Sequence, residues 1–289
     1  MGTVHLLSIF NKTQIQTEES ILGKKIILTG VRSKNHAKNM SAVLDEKAGK
    51  IVSSVKAAVK DDYSLLVNLY EIFQRNVKYD KNELKANSKG VWISPDSHNA
   101  YGAIINKEAV CDGFSSAFAL LAGKLGFECM LVTGHSAYSS TSFTNHAWNI
   151  IKISDKYYHM DITWDARFYI EFGEYSYAYF ALNDREIVND HKWNKNTAPA
   201  CSYYDFSYYS RNRLHADNTE QLNEIINAYG SKRSKVFRIK LSNTVPLPGN
   251  AGDYLAQKAA NTAAKYTDRA RISYSWNDNT RCFFAKIMN

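Results

Sequence analysis

Two neighbouring stretches decide the fold of this chain: VCDGFSSAFALLAGKLGFECMLVTG (residues 110–134) and HAWNIIKISDKYYHMDITWD (residues 146–165). In the first, apolar residues recur every three or four positions, which is typical of a helix with one buried face. Gly126 suits the left-handed position that ends many helices. The pattern therefore predicts a helix from about Asp112 to Leu125, followed by a buried strand over residues 127–133.

Cys111 stands at the start of this predicted helix. Backbone N–H groups without helical partners and the positive end of the helix dipole favour an anion there. A thiolate is such an anion, and the same N–H groups can hold the oxyanion of a tetrahedral intermediate. Cysteine is also among the residues most often buried in a core, so Cys111 alone leaves a structural role open.

The second stretch reads as a hairpin of two strands, residues 146–153 and 156–164, with Ser154 and Asp155 as the turn. This register places His146 opposite Thr163. Asp161 then lies on the same face as His146, in a diagonal pair about 7–8 Å apart at the backbone. A carboxylate at that position can fix the tautomer of the imidazole. His159 has the same parity and competes for this place, and Asp165 is a weaker substitute near the end of the strand.

These segments resemble the three motif blocks of the transglutaminase-like cysteine enzyme superfamily. The blocks are AVCDGFS (109–115), NHAWN (145–149) and YHMDITWD (158–165), and YFALND (179–184) and DHKW (190–193) resemble the segments located after these blocks in bacterial members. The resemblance implies a papain-like core in which Cys111 is the nucleophile, His146 the general base and acid, and Asp161 the orienting carboxylate. It implies that His191, within DHKW, is a structural feature. Members of the superfamily include cross-linking enzymes, peptidases, amidases and inactive binding modules.

The predicted fold class is α+β: a papain-like, transglutaminase-like core with its nucleophile at a helix N-terminus packed on an antiparallel sheet. We expect three segments: an N-terminal strand and helices (1–59), the catalytic core (60–210) and a small C-terminal α/β extension (211–289). Periodicity predicts the remaining elements. They are a strand at 24–30, helices at 36–60, 62–78, 218–229 and 253–266, a strand at 235–241, a hairpin over 271–287, and a polar loop at 81–106.

Composition is that of a globular protein, with 289 residues of which 45% are hydrophobic and 22% charged. No apolar run approaches the roughly 18 residues of a membrane span. The four cysteines have neither disulfide-framework nor zinc-ribbon spacing. We therefore expect no metal or other cofactor.

The net charge of +8 predicts a basic surface that would suit an anionic cell wall. Its densest run, residues 230–235, is typical of a solvated loop. No motif typical of nucleic-acid binding accompanies it, so we expect no nucleic-acid partner. The first 20 residues do not resemble an export signal. An extracellular or cell-surface location is implied by the family resemblance.

Three aromatic residues are candidates for substrate binding. Tyr101 would pass beside Cys111 and line the cleft or donate to the oxyanion, or else anchor its loop. Trp148 and Trp164 flank the catalytic positions and would shield a thiolate–imidazolium pair, or else pack within the sheet.

The reaction expected from these residues is attack of the Cys111 thiolate on an amide carbonyl of a peptide or protein, with a thioester intermediate. Water as acceptor makes a peptidase or amidase, and a lysine amine makes a transamidase. Hydrolysis is favoured by a small margin. The alternative is a catalytically inactive module that binds a peptide or a cell-wall ligand.

Overall fold

The computed structural model describes residues 13–20, 23–30, 33–59, 61–91, 93–137, 142–267 and 271–288. The helices are α1 (Lys34–Ala58), α2 (Asp62–Asn76), α3 (Lys81–Asn87), α4 (Cys111–Leu125), α5 (Ile162–Phe172), α6 (Asp184–Ile187), α7 (Tyr208–Arg211), α8 (Thr219–Ser231) and α9 (Ala251–Ala263). The strands are β1 (Thr13–Ser20), β2 (Gly23–Gly30), β3 (Lys78–Tyr79), β4 (Glu108–Ala109), β5 (Glu128–Ser136), β6 (Thr144–Ile153), β7 (Lys156–Met160), β8 (Phe180–Leu182), β9 (His191–Trp193), β10 (His215–Ala216), β11 (Val236–Leu241), β12 (Arg271–Asn277) and β13 (Cys282–Met288).

A five-stranded antiparallel sheet in the order β8-β7-β6-β5-β9 forms the centre of the molecule, and α4 packs on β5 and β6. The β6–β7 hairpin has the predicted register, with Ile153 opposite Lys156. Its two turn residues, Ser154 and Asp155, both have positive φ, as the tight turn of a two-residue hairpin requires. The predicted register and the predicted fold class, in which the helix that begins at Cys111 packs on an antiparallel sheet, are confirmed.

The second strand of this hairpin is shorter than predicted. It ends at Met160, and residues 162–172 form α5 instead of continuing the strand to Trp164. The cause is Asp161, whose carboxylate accepts hydrogen bonds from the backbone N–H groups of Thr163 and Trp164 and so caps the helix. The predicted extension of the strand was wrong because this capping pattern competes with alternation of apolar residues.

The segment predicted as one long polar loop, residues 81–106, is also more ordered than expected. It contains α3, a 3₁₀ turn over Pro95–His98 and a π-helical turn over Gly102–Asn106. Asp80 caps the N-terminus of α3, since its side chain accepts a hydrogen bond from the N–H of Glu83. The 3₁₀ turn is held against the start of α4, where the backbone of Val110 donates to the carbonyl of Ser97.

One apolar core joins α1, α2, α4, α5 and the central sheet. Its largest fully buried side chains include Trp148, Tyr70, Phe73, Phe114 and Phe118. Each such side chain contributes about 1.5–3 kcal/mol through burial. The elements that carry the candidate catalytic residues are therefore fixed by the same core.

The C-terminal residues form a mixed four-stranded sheet, in the order β10-β11-β13-β12, with α8 and α9 packed on it around a second core. Ion pairs connect this part to the central core. Arg238 and Lys286 both bind Glu174, and Lys240 lies 2.5 Å from Glu186. The predicted elements of this region are all present, whereas the division of the chain into three segments stays a prediction. In the described ranges, no helix combines the length and the apolar character that crossing a membrane requires.

Candidate active site

Cys111 is the first residue of α4 and is half-buried. The 3₁₀ turn crosses the helix start so closely that a Cβ at Gly113 would lie 2.2 Å from the carbonyl oxygen of Ser97. Only glycine fits there without movement. This contact sets the position of the first turn of α4, and with it the position of the thiol.

His146 lies on β6, near the centre of the sheet, with its side chain buried. Hydrogen bonds tie β6 to α4: Ser115 Oγ donates to the carbonyl of Ala147, and Asn149 Nδ2 donates to the carbonyl of Ser115. The helix that carries Cys111 and the strand that carries His146 are thus held in one geometry. The two side chains are close enough for a hydrogen bond between them.

Asp161 is the residue between β7 and α5, and its side chain is fully buried. Its carboxylate accepts four hydrogen bonds. One carboxylate oxygen, Oδ1, accepts from the backbone N–H of Thr163 at 3.0 Å and of Trp164 at 3.2 Å. The other oxygen, Oδ2, accepts from His146 Nε2 at 2.7 Å and from His191 Nε2 at 3.0 Å. Because Nε2 of His146 binds Asp161, Nδ1 of His146 is the ring nitrogen on the side of Cys111.

These contacts shift the pKa values of both partners. Burial alone would lower the pKa of His146, but the Asp161 carboxylate and the Cys111 side chain raise it to about 10. Burial alone would raise the pKa of Asp161, whereas the two histidines hold that pKa below its ordinary value. At neutral pH the geometry therefore favours an anionic Asp161 beside a protonated His146.

Of the two alternatives to Asp161, neither reaches His146. Asp165 lies one turn along α5, where its carboxylate accepts from Tyr70 Oη at 2.8 Å and from the N–H of Tyr179 at 2.9 Å. His159 accepts from Trp148 Nε1 at 3.0 Å and binds Asp184 at 2.9 Å. Each is buried in a hydrogen-bonded setting of its own.

Sequence reasoning missed two histidines close to this site. His191 binds Asp161 from β9, although the motif DHKW suggested a structural role only. His98 sits between Asp112, the neighbour of Cys111, at 2.8 Å and the fully buried Glu83 at 3.0 Å. The available signal was the residue type alone, since neither histidine has a local spacing that points to the site.

The three predicted substrate-binding residues have different settings. Trp148 has no exposed surface and its ring stacks on His146, with centroids 6.0 Å apart. This burial contradicts a substrate contact for Trp148, because the sheet and its neighbours cover the indole. Trp164 is half-buried and also packs on His146 at 6.0 Å. Tyr101 is half-buried and packs against Ala37 and Met40 of α1.

A cavity of about 260 Å³ lies between α5 and the C-terminal sheet, with Trp164, Tyr179, Arg238 and Asn277 among its lining residues. Its lining includes neither Cys111 nor His146. It is therefore a feature separate from the candidate catalytic residues.

Among the residues that the structure describes, two groups of side chains have the residue types of a metal site. These groups are His146 with Asp161 and His191, and His159 with Asp184 and Cys201. Trp148 is a donor to Nδ1 of His159, so a neutral His159 carries its proton on Nε2. That nitrogen then donates to Asp184 and has no lone pair for a metal. In the first group both Nε2 atoms lie at hydrogen-bond distance from one carboxylate oxygen, so each of these nitrogens also carries a proton.

Residues 49–162 match the family model of the transglutaminase-like superfamily. Over this range the chain is similar to transglutaminase-like domains, and this match supports a thiol-dependent enzyme. The matched region includes all three residues expected to form the catalytic group, Cys111, His146 and Asp161. It ends at the first residue of α5.

Two solved structures are similar to parts of the chain. A TGase crystal structure aligns with a TM-score of 0.37 and 13% identity, covering 52% of this chain and 44% of that one. A candidate cysteine protease from Cytophaga hutchinsonii aligns with a TM-score of 0.33 and 15% identity, covering 53% of this chain and 62% of that one. The chain therefore spans less than two thirds of either structure. Among curated proteins, no sequence matches the chain.

Proposed function

We propose that this protein is a thiol-dependent acyl-transfer enzyme that acts on amide bonds of peptides or proteins. Cys111 is the nucleophile, His146 the general acid and base, and Asp161 the carboxylate that orients His146. The observation that carries the proposal is the position of the His146 ring, which contacts Cys111 on one side and binds Asp161 at 2.7 Å on the other. A nucleophile, a base and an orienting acid in this order form the minimum arrangement for covalent acyl transfer.

The proposed reaction has two steps. The Cys111 sulfur attacks the amide carbonyl carbon, the C–N bond breaks, and His146 delivers a proton to the departing amine, which leaves a thioester. The start of α4 directs backbone N–H groups and the positive end of its dipole to the region where the oxyanion forms. In the second step an acceptor, activated by His146, attacks the thioester and releases the thiol.

We propose water as the acceptor, which makes the enzyme a peptidase or amidase. A lysine amine is the alternative acceptor, and it would make the enzyme a protein-glutamine transamidase. Of the residues expected to bind substrate, Trp164 and Tyr101 have partly exposed side chains and are proposed as contacts. Trp148 is instead proposed to support the His146 ring.

The inactive binding module predicts an unreactive Cys111. The free-energy cost of burying Asp161, His146 and His191 together argues against this alternative, because a ligand-binding surface does not require such a buried charged group. Peptide and protein substrates thus remain the proposed partners, and attachment to an anionic cell wall stays a prediction from charge.

The tests use Cys111→Ala as the variant without the proposed nucleophile and Cys129→Ala as its matched control. Both cysteines are partly exposed, but burial raises the pKa of the Cys129 thiol, and that residue lies on β5 away from the first turn of α4. We expect iodoacetamide at neutral pH to modify Cys111 selectively, as located by mass spectrometry, and the reaction to slow in His146→Ala. Modification of Cys111 that does not respond to the loss of His146 would contradict the proposal.

The acceptor is determined with a glutamine-rich protein substrate and a fluorescent alkylamine. Hydrolysis predicts new peptide termini or released ammonia in the wild type and in Cys129→Ala, with none in Cys111→Ala. Covalent incorporation of the alkylamine would instead identify a transamidase.

A further inference from the structure

His191 lies on β9, at the edge of the central sheet, and its side chain is completely buried. Its ring packs between two tryptophans, with centroids 4.9 Å from Trp148 and 4.9 Å from Trp164. The centroid of the His146 ring is 5.4 Å away. His191 therefore lies in the same aromatic enclosure as the proposed base, although it is 30 residues from Asp161 in the chain.

Both ring nitrogens of His191 face carboxylates. Nε2 lies 3.0 Å from Asp161 Oδ2, and Nδ1 lies 2.5 Å from Asp190 Oδ1. A carboxylate only accepts, so each nitrogen has to carry a proton and the ring is an imidazolium. The other titratable groups near this ring are His146 on β6, the ring of Tyr179, and His159 on β7. The pKa of His159 is lowered mainly by burial and also by the charge of His191.

The second carboxylate is held in turn by the C-terminal sheet. Asp190 Oδ2 accepts from Tyr179 Oη at 2.6 Å, and that hydroxyl accepts from Asn277 Nδ2 on β12 at 3.1 Å. An uninterrupted chain of hydrogen bonds thus runs from the C-terminal hairpin through His191 to Asp161. Each member is fixed by a partner on another element, so the imidazolium has little freedom to leave Asp161.

We propose that His191 is a positioning residue: a second, permanently charged imidazolium that holds Asp161 in place and shares its negative charge with His146. The inference rests on the proposed function. Without His191, the full charge of Asp161 would act on His146, and His146 would release its proton to a leaving amine less readily. The proton-transfer step requires a carboxylate that orients His146 without trapping its proton.

The test is a histidine NMR titration, which needs no substrate. Protein labelled with ¹³C and ¹⁵N at its eight histidines is titrated from pH 5 to 12 as wild type, His191→Gln and His159→Gln. His159 is the matched control, because it is equally buried and also contacts Trp148 but binds Asp184 instead of Asp161. Signals are assigned by single histidine substitutions.

We expect His191 to keep both ring protons over the whole range in which the wild type is folded. The midpoint for His146 should move upward by about one pH unit or more in His191→Gln, the size that one nearby charge commonly produces. In His159→Gln this midpoint should stay within a few tenths of a unit. The double variant Asp190→Asn/His191→Gln removes both charges and excludes an effect of an unpaired Asp190.

A wild-type His191 that loses a proton near pH 6.5, or a His146 midpoint equal in His191→Gln and His159→Gln, would overturn the inference. The wild-type spectrum decides the first point even if His191→Gln does not fold. Failure of the proposed function looks different: iodoacetamide would modify Cys111 equally in wild type and His146→Ala, whatever the protonation state of His191.

Discussion

Replacing Asp161 by asparagine removes one charge and keeps the size of the side chain. The remaining oxygen can still cap α5, but the amide NH₂ then faces the Nε2–H groups of His146 and His191, so donors meet donors. A charge-assisted hydrogen bond contributes about 1.5–3 kcal/mol. If the bond to His146 alone is lost, this energy corresponds to roughly 10- to 150-fold in an equilibrium constant. The imidazole would also favour its other tautomer, with a proton on the nitrogen that should accept from Cys111.

We therefore expect alkylation of Cys111 by iodoacetamide at pH 7 to slow by roughly 10- to 150-fold in Asp161→Asn. A comparable change in a serine triad lowers kcat by about 10⁴, so amide turnover should fall further than alkylation. The control is Asp165→Asn, a buried carboxylate on the same helix that binds Tyr70 and not His146. Its alkylation rate should stay within about threefold of the wild type, since the partners of Asp165 are Tyr70, Ser176 and Tyr179 and the bond between Asp161 and His146 is kept. Equal rates in the two variants, with native circular dichroism in both, would refute the assignment of Asp161.

The remaining predictions concern the start of α4. Gly113→Ala should lower the free energy of unfolding in urea by about 1–3 kcal/mol, because the new Cβ would lie 2.2 Å from a backbone oxygen. Gly123→Ala, with nothing within 4 Å of the new Cβ, should raise the free energy of unfolding by about 0.5–1 kcal/mol. Equal effects of the two substitutions would contradict the close approach of the 3₁₀ turn to the start of α4. Burial would lower the pKa of His98, but Asp112 and Glu83 raise it. The wild type should therefore be more stable than His98→Gln below about pH 6.5 and lose this advantage as pH rises through the raised pKa; an advantage that grows with pH would contradict it.

Local rules were sufficient for much of the framework. Apolar spacing predicted α4, whose first residue is Cys111, and turn chemistry predicted the β6–β7 register. Both depend on residues close together in the chain, where backbone geometry leaves few alternatives. That register predicted that His146 and Asp161 lie close together. The structure brings them together in another way, because Asp161 is the N-cap of α5 and does not lie on a strand.

The sequence by itself determined the helix, the hairpin and the residue types of the candidate site. Tertiary structure alone decided which groups surround them: His191 joins Asp161 from a distant strand, His98 meets Glu83 beneath the start of α4, and Trp148 is covered completely. The physical reason is that a polar group costs free energy when it is buried without a hydrogen-bond partner, and the packed elements supply that partner. That partner depends on how helices and sheets stack, and no local spacing records it.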